Sequence, residues 1–149
     1  MRRVDYMLGG EEFNKMTAAH FMQTDVYYYP KSSTGDKLAT AITMGGFGSV
    51  PIVDKGKKLV GIVSEFDLLK AIMSGQDLEK VTAEGIMTSE PVSISEATPA
   101  PEIVDLLQKK HLIRVPVVDQ NGTLVGIVAR RDILQGYLKS RETPPPWWF

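Results

Sequence analysis

The chain of 149 residues contains no cysteine. That absence removes disulfides, thiolate zinc sites and a thiol nucleophile, and it makes the reducing cytoplasm the expected location. Histidine is scarce: His20 and His111 are the two copies, with no H-E-x-x-H spacing and no second ligand cluster, so no metal site and no catalytic metal are expected. Charge of one sign is missing as well. With 17 Lys plus Arg against 18 Asp plus Glu the net charge is −1, without the basic excess that nucleic acid or an anionic membrane surface selects. Long apolar runs are also absent, since Leu59-Val60 and Ile62-Val63, split by Gly61, fall far short of the roughly 20 residues of a membrane span. The opening residues carry Arg2, Arg3, Asp5, Glu11 and Glu12 and no apolar stretch, so they do not read as a secretory signal.

What is present is 43% apolar residues in a domain-sized length, enough to bury roughly 68–70% of the surface of the unfolded chain. The chain is also duplicated. Shifted by 65 residues, Val50–Leu69 aligns with Val115–Leu134 without a gap, with eleven of twenty positions identical, and Met22 and Met87 keep the same offset. Chance would match one or two, so the chain holds two copies of one supersecondary unit.

Each copy carries the same signals in the same order. Val50–Asp54, a turn over Lys55–Lys58 and Leu59–Val63 form a β-hairpin pattern, repeated with Asn121-Gly122 in the second turn, where positive φ costs little. Neither run alternates, which predicts cover on both faces. A helix precedes each hairpin: Thr98 is placed to cap, Pro99 suits the first helical position, and Ile103, Leu106 and Leu107 share a face, as do Leu38, Ala41 and Ile42 in the first copy. Another helix follows, with Leu68, Leu69 and Ile72 in one copy and Ile133, Leu134 and Tyr137 in the other. Short strands at Val26–Tyr29 and Val92–Ile94 complete a β-α-β-β-α unit. The predicted class is mixed α/β (α+β), with an N-terminal segment over 1–16, repeats over 17–75 and 83–140, a linker over 76–82, and a Pro and aromatic tail over 141–149.

Polar chemistry concentrates where the second hairpin strand turns into a helix. Ser64-Glu65-Phe66-Asp67 can form a capping box, Ser64 accepting from the Asp67 amide; the same free amides can also meet an anion. In the second copy the cap position is Ala129, yet Asp132 remains, and Arg130 and Arg131 crowd a helix start whose dipole disfavours cations by about 0.3–1 kcal/mol each where exposed. A nearby anion would offset that cost; otherwise these arginines form a solvated basic face.

Phe21-Met22-Gln23-Thr24-Asp25 with Ile86-Met87-Thr88-Ser89-Glu90, together with the two hairpins, resembles the cystathionine β-synthase (CBS) domain, whose tandem pair is called a Bateman module. The resemblance covers about Thr17–Ser140. It implies a stand-alone pair of repeats related by a pseudo-twofold axis, a homodimer built through helices, and an adenosyl ligand in the clefts between copies. Carried over position by position, Asp67 would take the ribose hydroxyls and Ser64 the sugar or first phosphate. The opposite copy would supply Pro91, Val92 and the phosphate-binding Arg114 and Arg131. Asp132 would serve a weaker second cleft with Tyr27 and Ser49, which lacks the two cations and the hydroxyl. AMP, ADP, ATP and S-adenosylmethionine share the adenosine read this way; no cofactor is required, and the protein partner is not named by the sequence.

The implied role is regulatory rather than enzymatic. The contrasting readings are a dimerisation or protein-interaction module with empty clefts, and a nucleic-acid binder, which the charge disfavours. Gly45-Gly46-Phe47-Gly48 is no phosphate loop, because no Gly-Lys-Ser/Thr follows and the segment enters a strand; it reads as a helix end. Tyr27-Tyr28-Tyr29 reads as a half-buried strand rather than a base-stacking surface. His20 and His111 read as structural, the latter at a helix end. Pro144-Pro145-Pro146-Trp147-Trp148-Phe149 is a stiff, strongly apolar tail suited to docking on a partner or a second copy, or else a frayed end.

Overall fold

The computed structural model describes residues 13–141; the tail from 142 and most of the N-terminal segment lie outside the described residues. The element order is α1 (Ala18–Phe21), β1 (Tyr29–Pro30), α2 (Gly35–Gly45), β2 (Ser49–Val53), β3 (Leu59–Ser64), α3 (Glu65–Met73), α4 (Ala83–Ile86), β4 (Thr88–Ser89), β5 (Ile94–Ser95), α5 (Ala100–Lys109), β6 (Arg114–Val118), β7 (Leu124–Ala129) and α6 (Arg130–Ser140). This is the mixed α and β pattern expected, written twice. The leading strands are shorter than expected and begin later: β1 joins β2 in parallel only from Tyr29↔Ile52. Tyr27 and Tyr28 therefore precede the ladder and are 61% and 44% exposed, not half-buried strand residues. Thr98 is not the cap of α5 either. Its hydroxyl accepts from the Ser95 amide at 3.1 Å, and Pro99 takes the cap position.

Two hairpin turns are built alike. Asp54 Oδ1 accepts from the Gly56 and Lys58 amides, both at 2.9 Å, and Asp119 Oδ1 accepts from Asn121 at 2.9 Å and Thr123 at 3.0 Å. The carboxylate closes the turn by imitating a backbone carbonyl, which is why Asp stands there in both copies.

The chain divides into two compact units that do not coincide with the repeats. Unit 2 comprises residues 25–92 and 118–125. Its sheet runs β1-β2-β3-β4, with β2 antiparallel to β3 and β3 antiparallel to β4 through Gly61↔Ser89 and Ile62↔Thr88. The first copy's sheet thus receives its last strand from the start of the second copy. Its core joins Leu38, Ile42, Val50, Ile52, Val63 and Leu68 with Ala83 of that same segment; each large aliphatic side chain so buried is worth about 1.5–3 kcal/mol.

Unit 1 comprises, among the described residues, 13–24, 93–117 and 126–141, and the exchange there is reciprocal. Gln23 of the first copy bridges to Ile127 on β7, its amide donating at 2.8 Å and its carbonyl accepting at 3.0 Å. Phe21 packs edge-on to Phe13, which meets Tyr137 on α6 in the same way. Each exchange is keyed by a glycine: a Cβ on Gly61 would strike the Met87 sulfur, and one on Gly126 the Met22 sulfur. The shared offset of Met22 and Met87 has this packing as its cause.

Candidate functional site

The first junction lies in unit 2. β3 ends at Ser64, whose hydroxyl accepts from the Asp67 amide at 3.3 Å, while Asp67 Oδ2 takes back the Ser64 amide at 2.8 Å and its hydroxyl at 3.0 Å. The capping box therefore forms, and it consumes one carboxylate oxygen. Ser49 starts β2 directly opposite Ser64, and the Glu65 amide donates to the Gly48 carbonyl at 3.1 Å. In the same unit Pro91 is half-buried, Val92 is 37% exposed, and Tyr27 stacks obliquely on Phe47 with centroids 5.4 Å apart.

The second junction lies in unit 1. β7 ends at Ala129, which has no acceptor to offer, yet Asp132 Oδ2 still takes the Ala129 amide at 2.8 Å. Its other oxygen accepts from Gln23 Nε2 at 3.1 Å. Asp132 is 8% exposed, and Arg114 lies within electrostatic reach: burial pulls that guanidinium below its ordinary value while Asp132 raises it again, and an arginine stays cationic throughout. The Arg130 amide donates to the Ile113 carbonyl at 2.9 Å, as Glu65 does to Gly48. Arg130 Nε donates to the Leu112 carbonyl at 2.7 Å, so it braces the loop before β6. Arg131 is exposed on the first turn of α6.

Within the units Ser49 stands by Ser64, and Arg114 lies within electrostatic reach of Asp132. Antiparallel hairpin pairing brings the first residue of one strand beside the last of the next, so each strand-start residue lies near the junction of its own repeat. Gln23 was missed, although it belongs to the Phe21–Asp25 motif; its partner is 109 residues away, and no local pattern announces it.

His20 is structural as expected, its Nδ1 accepting from the Thr17 amide at 3.0 Å. His111 terminates α5 with φ +55°, the place Gly46 takes after α2 with φ +66°. Among the described residues no three His, Asp or Glu side chains converge as a metal site, and no helix is long and apolar enough to cross a membrane. Unit 1 has an apolar groove of about 460 Å³ between α5 and α6, with Leu107, His111, Arg130 and Ile133 in its wall. A depression of about 860 Å³ in unit 2 is lined by Lys31, Asp54, Lys55 and Glu84 among others. Neither contains Asp67 or Asp132; the two junctions are candidates by chemistry, because they hold the hydroxyl, carboxylate and guanidinium groups.

The family model of the CBS domain matches the chain twice, over residues 18–74 and 83–139. The chain belongs to the CBS-domain family. The CBS pair protein CBSX2 from Arabidopsis thaliana superposes with a TM-score of 0.77 at 23% identity, covering 87% of this chain and 99% of that one, a likeness of fold. The CBS domain pair of protein MJ0100, solved in complex with 5′-methylthioadenosine and S-adenosyl-L-methionine, superposes with a TM-score of 0.71 at 28% identity over 80% of this chain and 98% of that one. Among curated relatives, the uncharacterized protein MK0525 of Methanopyrus kandleri is 36% identical over 112 residues, 74% of this chain. The chain spans 57% of that relative's length.

Proposed function

We propose that this CBS pair is a regulatory module that senses an adenosyl ligand, AMP, ADP, ATP or S-adenosylmethionine, and passes the signal on by a change of conformation rather than by catalysis. The observation that carries the reading is Asp67. One oxygen is held by Ser64, and the other takes no bond among the described residues, so a rigid, half-buried carboxylate presents an open acceptor to a diol. The MJ0100 pair, with its two adenosyl ligands, supports the ligand class. Ser64, Asp67, Pro91 and Val92 are the proposed contacts in unit 2, and Arg114, Arg131 and Asp132 those in unit 1, where guanidinium suits phosphate through two parallel bonds. The ligand would act by favouring one member of a pre-existing set of arrangements, which a cytoplasmic protein partner reads.

Homodimerisation through helices belongs to the same proposal. Phe66, Leu69, Ile72 and Met73 on α3 are 77%, 51%, 48% and 84% exposed, more apolar surface than one short helix leaves in water without a partner. The same row supports the competing reading, a dimerisation module whose ligand sites stay empty. Isothermal titration calorimetry with AMP, ADP, ATP and S-adenosylmethionine on wild type, Asp67→Ala and Arg114→Ala separates the two. Binding by wild type that Asp67→Ala weakens at least tenfold supports the sensor, and selective loss of the phosphorylated ligands in Arg114→Ala places the phosphate. No binding by wild type at millimolar ligand leaves the dimerisation module.

A further inference from the structure

Asp132 and Asp67 occupy equivalent positions, but the oxygen that Asp67 leaves open is taken in Asp132. Gln23 Nε2 donates to Asp132 Oδ1 at 3.1 Å; a carboxylate only accepts, so the group facing it is the amide nitrogen. The position of Gln23 is held by its backbone, paired both ways with Ile127, while the residue as a whole is exposed. Its side chain can therefore leave Asp132 for water without disturbing the strand. The counterpart of Gln23 in the other junction is Thr88, exposed and two atoms shorter, which makes no hydrogen bond to Asp67.

We propose that Gln23 is a built-in competitor at the Asp132 junction, its amide standing where a ribose hydroxyl of the adenosyl ligand would donate. This rests on the sensor reading above. A ligand must displace the amide before it reaches the carboxylate, so its apparent affinity is reduced by the fraction of molecules in which Gln23 is swung away. The two junctions then answer to different ligand concentrations, Asp67 first and Asp132 later, with Gln23 in place of Thr88 as one source of the difference.

The test is calorimetry with AMP on wild type, Asp67→Ala, Asp67→Ala/Gln23→Ala and Asp67→Ala/Gln23→Met, with melting temperatures confirming the fold. In the Asp67→Ala background, both Gln23 variants should tighten AMP binding by about three- to tenfold, the net worth of one ordinary intramolecular hydrogen bond, and adding Asp132→Ala should abolish it. Unchanged or weaker binding in Gln23→Ala overturns the competitor while leaving the sensor reading intact. Tightening in Gln23→Ala but not in Gln23→Met would assign the effect to bulk and overturn it too. Absence of AMP binding in all proteins, wild type included, defeats the sensor reading itself and the competitor with it.

Discussion

At the end of β3, Ser64 closes α3 by exchanging hydrogen bonds with Asp67, three residues on. At the end of β7 the same place is held by Ala129, and Asp132 turns instead to Gln23 and to the charge of Arg114. One plan has been finished in two ways. Losing the hydroxyl did not release the carboxylate; it moved the dependence from a local partner to partners brought in by the fold. The first acid is the partner of a cap, with a spare oxygen; the second is a buried charge whose neighbours are fixed by tertiary structure.

Stability should divide along that line. Asp132→Ala leaves the Ala129 amide without its acceptor and removes a buried carboxylate that favours the Arg114 charge, and should cost about 2–4 kcal/mol in urea unfolding. Equal losses in Asp132→Ala and Asp67→Ala would break the comparison. The glycine keys come next: Gly61→Ala drives a Cβ into the Met87 sulfur and should cost about 1–3 kcal/mol. Most of that should return in Gly61→Ala/Met87→Ala, and additive losses would show that the exchanged segment does not lean on this glycine. Asp67→Ala removes the returning half of the Ser64 capping box and should cost about 1 kcal/mol, with its main effect on ligand binding. The smallest change sharpens the comparison from another side. His111 holds the left-handed conformation that Gly46 holds in the first copy, so His111→Gly should raise stability by about 0.5–1 kcal/mol, read as a small upward shift in melting temperature.

Much of this was legible along the chain. The offset of 65 residues shows by direct comparison of the chain with itself, and the Asp54 and Asp119 turns and the Ser64 box are local patterns, closed by residues within four positions of one another, that stand in the structure as the residue types require. The neighbours of Ser49 and Arg114 inside each unit are set by hairpin register, which an end-to-end alignment of the two copies does not display. Tyr27 and Tyr28 have strand propensity but no strand to join, since the ladder with β2 begins one residue later. Gln23 was invisible for a plainer reason: its meaning lies in an acid 109 residues away.

By itself, then, the sequence determined the repeat unit, its turns and caps, the family, and which acids stand at the two junctions, because each follows from periodicity or from contacts a few residues apart. Tertiary structure decided the exchange of leading segments between copies, the seating of Met22 and Met87 on glycines, and the partners of Asp132. Those depend on groups well beyond local reach in the chain meeting in the fold, up to 109 residues apart for Gln23 and Asp132, where the outcome is set by which surfaces fit and which buried charge must be answered, and no local rule carries that information.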